Sequence, residues 1–246
     1  MRGVFELPNV VCYHHSMPQS RPEIKTLIWD VDGVLVNTEL LHFQGWRKLL
    51  QELGHNLTLE EYRPLIGHGG INNMAVMCKM KSISGDIDEL TKRRRAIYLG
   101  LRKLGIPVIA ENVALLKQFA DAYPALTQIA ASNSVAAEVH ESLQTAGVDG
   151  LLKFVISYKD HPEWRRKPAP DLYLAAIKEL GLPAANCLAF EDTESGVTAA
   201  KAAGVRVVAL PGELTAGQDF SSADLVIAPG RNRGAKAIMS DIARHS

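Results

Sequence analysis

From residue 24 onward the chain repeats one rhythm. A short, unbroken apolar run is followed by a longer stretch whose apolar residues recur every three or four positions. The short runs are KTLIWD, LTQIAAS, FVIS, NCLAFED, VRVVAL and ADLVIA. Continuous apolar runs of this length predict strands buried on both faces. NVALLKQFADA, SVAAEVHESLQTAG, APDLYLAAIKELG and ESGVTAAKAAG fall between them with helical spacing, and GAKAIMSDIARH predicts a last short helix. Alternating strands and helices predict an α/β fold with a Rossmann-like, doubly wound parallel sheet.

The rhythm breaks once. After the first strand, NTELLHFQGWRKLLQELG has helical periodicity closed by Gly54, Thr58 is placed to cap LEEY, and further helices are predicted after Gly70 and over Asp86 to Lys103. No strand signal appears until Pro107. The pattern therefore predicts an all-helical insert over residues 39–106, set in a core made of 24–38 and 107–246. Residues 1–23 read as an extension in which Pro8, Pro18 and Pro22 oppose helix, and a docked strand at VVCY is the lesser alternative. Trp29 and Trp46 are expected in core or hinge packing.

Polar residues collect where the apolar runs end. Asp30 and Asp32 close the first strand, Ser132 and Asn133 the second, and Glu191 and Asp192 the run NCLAF; Lys167 precedes a predicted helix. In a parallel doubly wound sheet these strand ends meet at one edge, where ligands bind. Two acids one residue apart point the same way on an extended strand, a costly arrangement without a partner. Carboxylates from two strand ends suit Mg²⁺, a hard cation. Such a set serves phosphoryl transfer: Asp30 as carboxylate nucleophile, Asp32 as acid and base, and Lys167 with the Ser132 hydroxyl on the phosphoryl oxygens. The backbone N–H groups of Gly33 and Val34 are expected to face the same oxygens.

Composition narrows the setting. The chain has 246 residues, with 27 basic and 27 acidic, so no broad positive field points to nucleic acid. No apolar run is long enough to span a bilayer. Cys12, Cys78 and Cys187 are scattered and odd in number, which favours a reducing cytoplasm over secretion. The basic run KRRR at 92–95 is expected to be a solvated helix face.

The stretches DVDGVLVNTE, AASNS, RRKPAPD and FEDTESG resemble, in order, the four motifs of the haloacid dehalogenase superfamily. The resemblance covers Lys25 to the C-terminus. It implies a Rossmann-like core, Mg²⁺, Asp30 as nucleophile, Asp32 as acid/base with its backbone carbonyl on the metal, Ser132 and Lys167 on the phosphoryl group, and Asp192 with Glu191 at the metal. The insert is similar to the small cap of the β-phosphoglucomutase-like branch, including His42 and Trp46. The segment LIGHGGINNM lacks the arginine that mutases place on a distal phosphate, and Ile71 stands where sugar-phosphate phosphatases of the xylulose-1,5-bisphosphatase type carry a lysine. The tail PGELTAGQDFSSADLVIAP and the Gly69-Gly70 pair resemble those phosphatases. The resemblance implies a magnesium-dependent phosphatase of small phosphate monoesters, sugar phosphates foremost; a β-phosphoglucomutase-like mutase and a catalytically quiet binding protein are the alternatives. The expected partner is a small phosphorylated molecule bound by a monomer, with His42, Gly69, Gly70 and Asn133 as further substrate contacts.

Overall fold

The computed structural model describes residues 22–67, 73–231 and 233–245. Residues 1–21, which hold most of the extension and Cys12, and the His68-Gly69-Gly70 turn lie outside them.

Six parallel strands form the sheet: β1 (Thr26–Trp29), β2 (Thr127–Ser132), β3 (Val155–Ser157), β4 (Cys187–Glu191), β5 (Arg206–Ala209) and β6 (Leu225–Val226). Their order is β3-β2-β1-β4-β5-β6. The chain winds outward from β1 in one direction and then returns to lay β4 on its other side, so the topological switch point falls between β1 and β4.

Side chains alternate across the sheet with period two. Leu27 and Trp29 share one face with Leu188, Phe190 and Val208, beneath α5 (Ala110–Ala122), α6 (Ala136–Ala146) and α9 (Ala235–His245). Ile28, Ile129, Ala189 and Val207 face the other way, beneath α7 (Asp171–Leu180) and α8 (Glu194–Ala202). Register places Trp29 directly beside Phe190. Their rings stack at 3.9 Å, and the buried indole donates to Gln128 Oε1 at 2.8 Å. That pairing fixes the C-terminal end of β1 next to that of β4.

Between β1 and α5 lie α1 (Thr38–Glu52), α2 (Leu59–Tyr62), α3 (Asn73–Lys81) and α4 (Ile87–Leu104). Local signals start α1, α2 and α4. Asn37 Oδ1 accepts from the Leu40 amide, Thr58 and Glu61 form a reciprocal capping box, and Asp86 accepts from the amides of Asp88 and Glu89. Trp46, Leu49, Leu50, Met77 and Leu90 pack into a hydrophobic cluster separate from the two that flank the sheet.

The two strands linking the insert to the sheet bind each other: Asn37 N–H donates to Pro107 O at 2.7 Å and Ile109 N–H to Leu35 O at 3.0 Å. Elsewhere the insert rests on the core. Buried Arg102 on α4 donates to Glu141, to the Glu138 carbonyl and to Ser142 on α6. Ser195 donates to Gly67 O at 3.0 Å, and Gln218 to Ile66 O at 3.2 Å.

Candidate active site

A cavity of about 470 Å³ opens between the carboxyl edge of the sheet and the insert. Asp30, Asp32, Asn133, Ser134, Lys167 and Asp192 line it from the sheet side, and Glu39, His42, Trp46, Tyr62 and Arg94 from the insert.

Asp30 follows β1 directly, and its amide is held by Phe190 O at 3.0 Å. Lys167, 6% exposed, reaches two buried carboxylates, Asp30 Oδ1 at 2.5 Å and Glu191 Oε1 at 2.6 Å. Tyr173 on α7 donates to the same Glu191 oxygen. Burial pushes the Asp30 carboxyl well above the usual range; the Lys167 ammonium opposes this, while Glu191 and Asp32 add to it. The Asp192 carboxyl is likewise pushed up by burial and by its neighbours Asp30 and Glu191. Lys167, although burial works against its charge, is raised above its ordinary range by the two carboxylates it holds.

Asp32 is treated differently. The strand stops at Trp29, and residues 31–36 curl into a tight turn in which the Leu35 and Val36 amides both donate to Val31 O. The two acids therefore do not share an extended strand, and each has its own partners. Asp32 accepts from Thr38 Oγ1 at 2.6 Å, Ser134 Oγ at 2.8 Å and Ser132 Oγ at 2.9 Å. Burial alone would raise its proton affinity, but these three hydroxyls outweigh burial and hold Asp32 below the ordinary carboxylate range. The fold thus drives apart the proton affinities of two acids one residue from each other.

The turn bears on two expectations. The Gly33 N–H is spent on Val36 O at 2.8 Å and not on the cavity, and Val34, wholly buried with its carbonyl held by Asn112, is not among the residues that line it. Gly33 serves by its missing side chain: with φ at +93°, a Cβ there would fall on the Asp192 carboxylate. Gly196 does the same for Glu191, whose carboxylate fills the place its Cβ would take. Ser132 also differs from expectation. It is buried behind Asp32, and Ser134, two residues on, lines the cavity in its place. Asn133 does face the cavity, and its Oδ1 is buried without a hydrogen-bond partner among the described residues.

On the insert, His42 stacks on Tyr98 with ring centroids 4.0 Å apart and its Nδ1 lies 3.1 Å from the Arg94 guanidinium. Burial and that guanidinium lower its pKa to about 3, so the imidazole is neutral and accepts from Arg94. Arg94 belongs to the run KRRR, which is not one solvated face. Arg93 pairs outward with Glu52, Arg94 turns into the cavity over Trp46, and Arg95 pairs with Glu138 of the core. Glu39 and Tyr62, also not singled out from sequence, bond to each other on the same wall.

Asp30, Glu191 and Asp192 each offer one oxygen within 4.8 Å of the others. Asp192 is 5% exposed, and its carboxylate meets no donor among the described residues. Three buried hard-oxygen donors balanced by one lysine fit a divalent cation of the Mg²⁺ type. The Asp32 carboxylate is turned away to its hydroxyls, which leaves only its backbone carbonyl for such a role.

A family model for haloacid dehalogenase-like hydrolases matches residues 24–204. The chain belongs to this family. Protein CbbY of Rhodobacter capsulatus is 34% identical over 218 residues, covering 82% of this chain and 92% of its own. Putative phosphatase YhcW of Bacillus subtilis is 30% identical over 203 residues, with 82% and 90% covered. The crystal structure of a CbbY variant from Rhodobacter sphaeroides in complex with xylulose-(1,5)bisphosphate superposes with a TM-score of 0.68 at 26% identity, over 83% of this chain and 93% of that one. The chain is thus an enzyme, a haloacid dehalogenase-like phosphatase. Among its described residues no helix is long and apolar enough to cross a membrane.

Proposed function

We propose that this hydrolase is a Mg²⁺-dependent phosphatase of small phosphate monoesters, chiefly sugar phosphates, and that Asp30 is its nucleophile. The observation that carries the reading is the geometry at one sheet edge: Lys167 stands between Asp30 and Glu191 with Asp192 beside them, while Asp32 is held apart on the hydroxyls of Thr38, Ser132 and Ser134. Asp30, Glu191, Asp192 and the Asp32 carbonyl would hold Mg²⁺. When bound, Mg²⁺ supplies positive charge that keeps Asp30 ionised and tempers its repulsion of an anionic ester.

An Asp30 oxygen attacks phosphorus as the bond to the leaving oxygen breaks, giving an aspartyl phosphate. Lys167 stays on the phosphoryl side and stabilises charge there. Asp32 gives a proton to the leaving alkoxide, then takes one from the water that attacks phosphorus and releases phosphate with Asp30 restored. The hydroxyls of Thr38, Ser132 and Ser134 orient Asp32 throughout. In the resting state they favour its base form, so Asp32 draws from solvent the proton that it then donates to the leaving oxygen.

The insert acts as a cap domain, residues 39–106, that closes over the ester and excludes water. Its Glu39, His42, Tyr62 and Arg94, with Asn133 opposite, present the hydrogen-bonding groups a polyhydroxy leaving group needs. The sugar preference is supported by the polar lining and by the bisphosphate held in the CbbY relative. The bound partner is a small molecule, and the setting is cytoplasmic. Purified protein incubated with Mg²⁺ and a panel of sugar and aryl phosphates is expected to release phosphate, and chelation to stop it. No release from any ester would overturn the reading, and isomerised sugar phosphate in place of free phosphate would favour a mutase.

A further inference from the structure

The cations around the cavity are not alike. Lys167 holds Asp30 and Glu191, Arg165 holds Asp171, Arg95 holds Glu138, and Arg94 is shared by His42 and aromatic rings. Lys159 and Arg166 also line the cavity, yet among the described residues no carboxylate stands within ion-pair distance of either. Lys159 lies in the turn that follows β3, and Arg166 immediately precedes Lys167. The Arg166 guanidinium carbon sits 5.6 Å from the Tyr158 ring centroid, and its Nε is buried with no hydrogen-bond partner. A guanidinium does not give up its proton, so a buried N–H of this kind calls for an acceptor.

The pair is also placed on one side. Lys159 is near enough to Asp32 and His42 to share their electrostatic field. Asp32 is the acid that meets the leaving oxygen, whereas the transferred phosphoryl group belongs with Asp30 and Lys167. Lys159 therefore borders the space of the leaving group, and Arg166, close enough to Lys159 to feel its charge, lines the same cavity. Burial lowers the proton affinity of both; for Lys159 the Glu138 carboxylate, already paired with Arg95, opposes this, and the neighbouring Arg95 and Arg166 add to it. An anion between them would relieve both effects.

We propose that Arg166 and Lys159 form a second anion-binding subsite, on the core side of the cavity, which takes a phosphate or carboxylate carried by the leaving group. The inference rests on the phosphatase reading and narrows its substrates to doubly anionic esters. It also assigns their recognition to two residues of the core rather than to the cap alone.

The test compares fructose 1,6-bisphosphate with fructose 1-phosphate, and 6-phosphogluconate with glucose 6-phosphate, so that the second anion is a phosphate in one pair and a carboxylate in the other. The full-length protein is expected to favour the doubly anionic member of at least one pair by about tenfold or more in kcat/KM. That is the range for a lost charge-assisted hydrogen bond. Arg166→Gln and Lys159→Gln should each move that preference toward one, mainly through KM, and Arg166→Lys should restore part of it. Arg165→Gln, which breaks an exposed pair on the same loop, should keep it. No preference in either pair, or a preference that survives both Gln variants, would overturn the subsite. Calorimetric binding of the same four probes separates the two readings. If no ester is turned over but the doubly anionic probes still bind more tightly in an Arg166-dependent way, the phosphatase reading falls and the subsite stands.

Discussion

At the sheet edge, Lys167 is closed in by two carboxylates, and the space around Asp192 and Glu191 is filled to the point that two glycines cannot carry a Cβ. In the insert, Arg94 meets a neutral imidazole and the faces of Trp46 and Tyr98, contacts that a side chain can leave and resume. Both walls face one cavity. The first is built so that its groups cannot move, as suits chemistry common to every phosphate ester. The second holds its polar groups through softer contacts, as suits the choice of leaving group. The rigid chemical groups and the softer contacts to the leaving group therefore come from different walls, with Arg166 and Lys159 the core's own share of leaving-group recognition.

The strongest test of that contrast is Asp30→Asn. An amide oxygen cannot serve as the nucleophile, so turnover of every ester should fall to background, which is very low for phosphate monoesters. Circular dichroism should show an unchanged fold, because Lys167 keeps Glu191. Substantial activity in a clean preparation would sink the covalent mechanism.

The next test makes the same change on both walls. Gly196→Ala would drive a methyl group into the Glu191 carboxylate and should cost about 1–3 kcal/mol or more, along with metal affinity. Gly100→Ala, on the exposed face of α4 with open space around it, should stabilise by about 0.5–1 kcal/mol. Denaturant melts of both variants read the difference, and effects of equal sign would dissolve the contrast.

A third comparison uses kinetics. Asp32→Asn should lower kcat most for sugar phosphates, whose leaving oxygen needs the proton, and least for an activated aryl phosphate. Arg94→Met should instead raise KM for sugar phosphates with less effect on kcat, as for a contact made equally before and during reaction. If the two variants gave the same profile, Arg94 would belong with the chemical groups.

The smallest effect is on pH dependence. His42 titrates near pH 3 in the folded protein and at its ordinary 6.5 when unfolded. Between those values the unfolded chain binds the extra proton, so acidification destabilises the fold and raising the pH restores it. His42→Phe keeps a ring against Tyr98 without that proton site. Its melting temperature should drop less than that of the parent between pH 7 and pH 5, and parallel curves would show that His42 carries no such linkage.

What could be read from sequence follows the same division. Asp30, Lys167, Glu191 and Asp192 are adjacent to strand ends or helix starts, and a parallel sheet gathers those positions whatever the packing details. The positions of the strands were legible from apolar runs, though not where β1 ends, and the bounds of α1 and α4 from Asn37, Gly54 and Asp86. The insert was not legible at the level of side chains. Successive helical residues point about 100° apart, so KRRR sends its members to solvent, cavity and core in turn, and a charge count sees only a basic run. Glu39 and Tyr62 come from different helices, and nothing local announces their bond. Gly33 was misread because its amide direction depends on how the chain curls after Asp32, which no strand pattern specifies. Ser134 was missed because its value lies in reaching Asp32, 102 positions away.

The paired linkers carry one more consequence. Asn37 binds Pro107 and Ile109 binds Leu35, so the chain leaves the sheet and returns to it at the same spot. Strand partners of this antiparallel kind stand about 5 Å apart, a gap that a short turn can bridge. The insert is in that sense a socketed part. Because the chain leaves and returns at one spot, the length of the insert does not set the register of the strands, and a changed insert would offer new substrates to a chemistry that stays where it is.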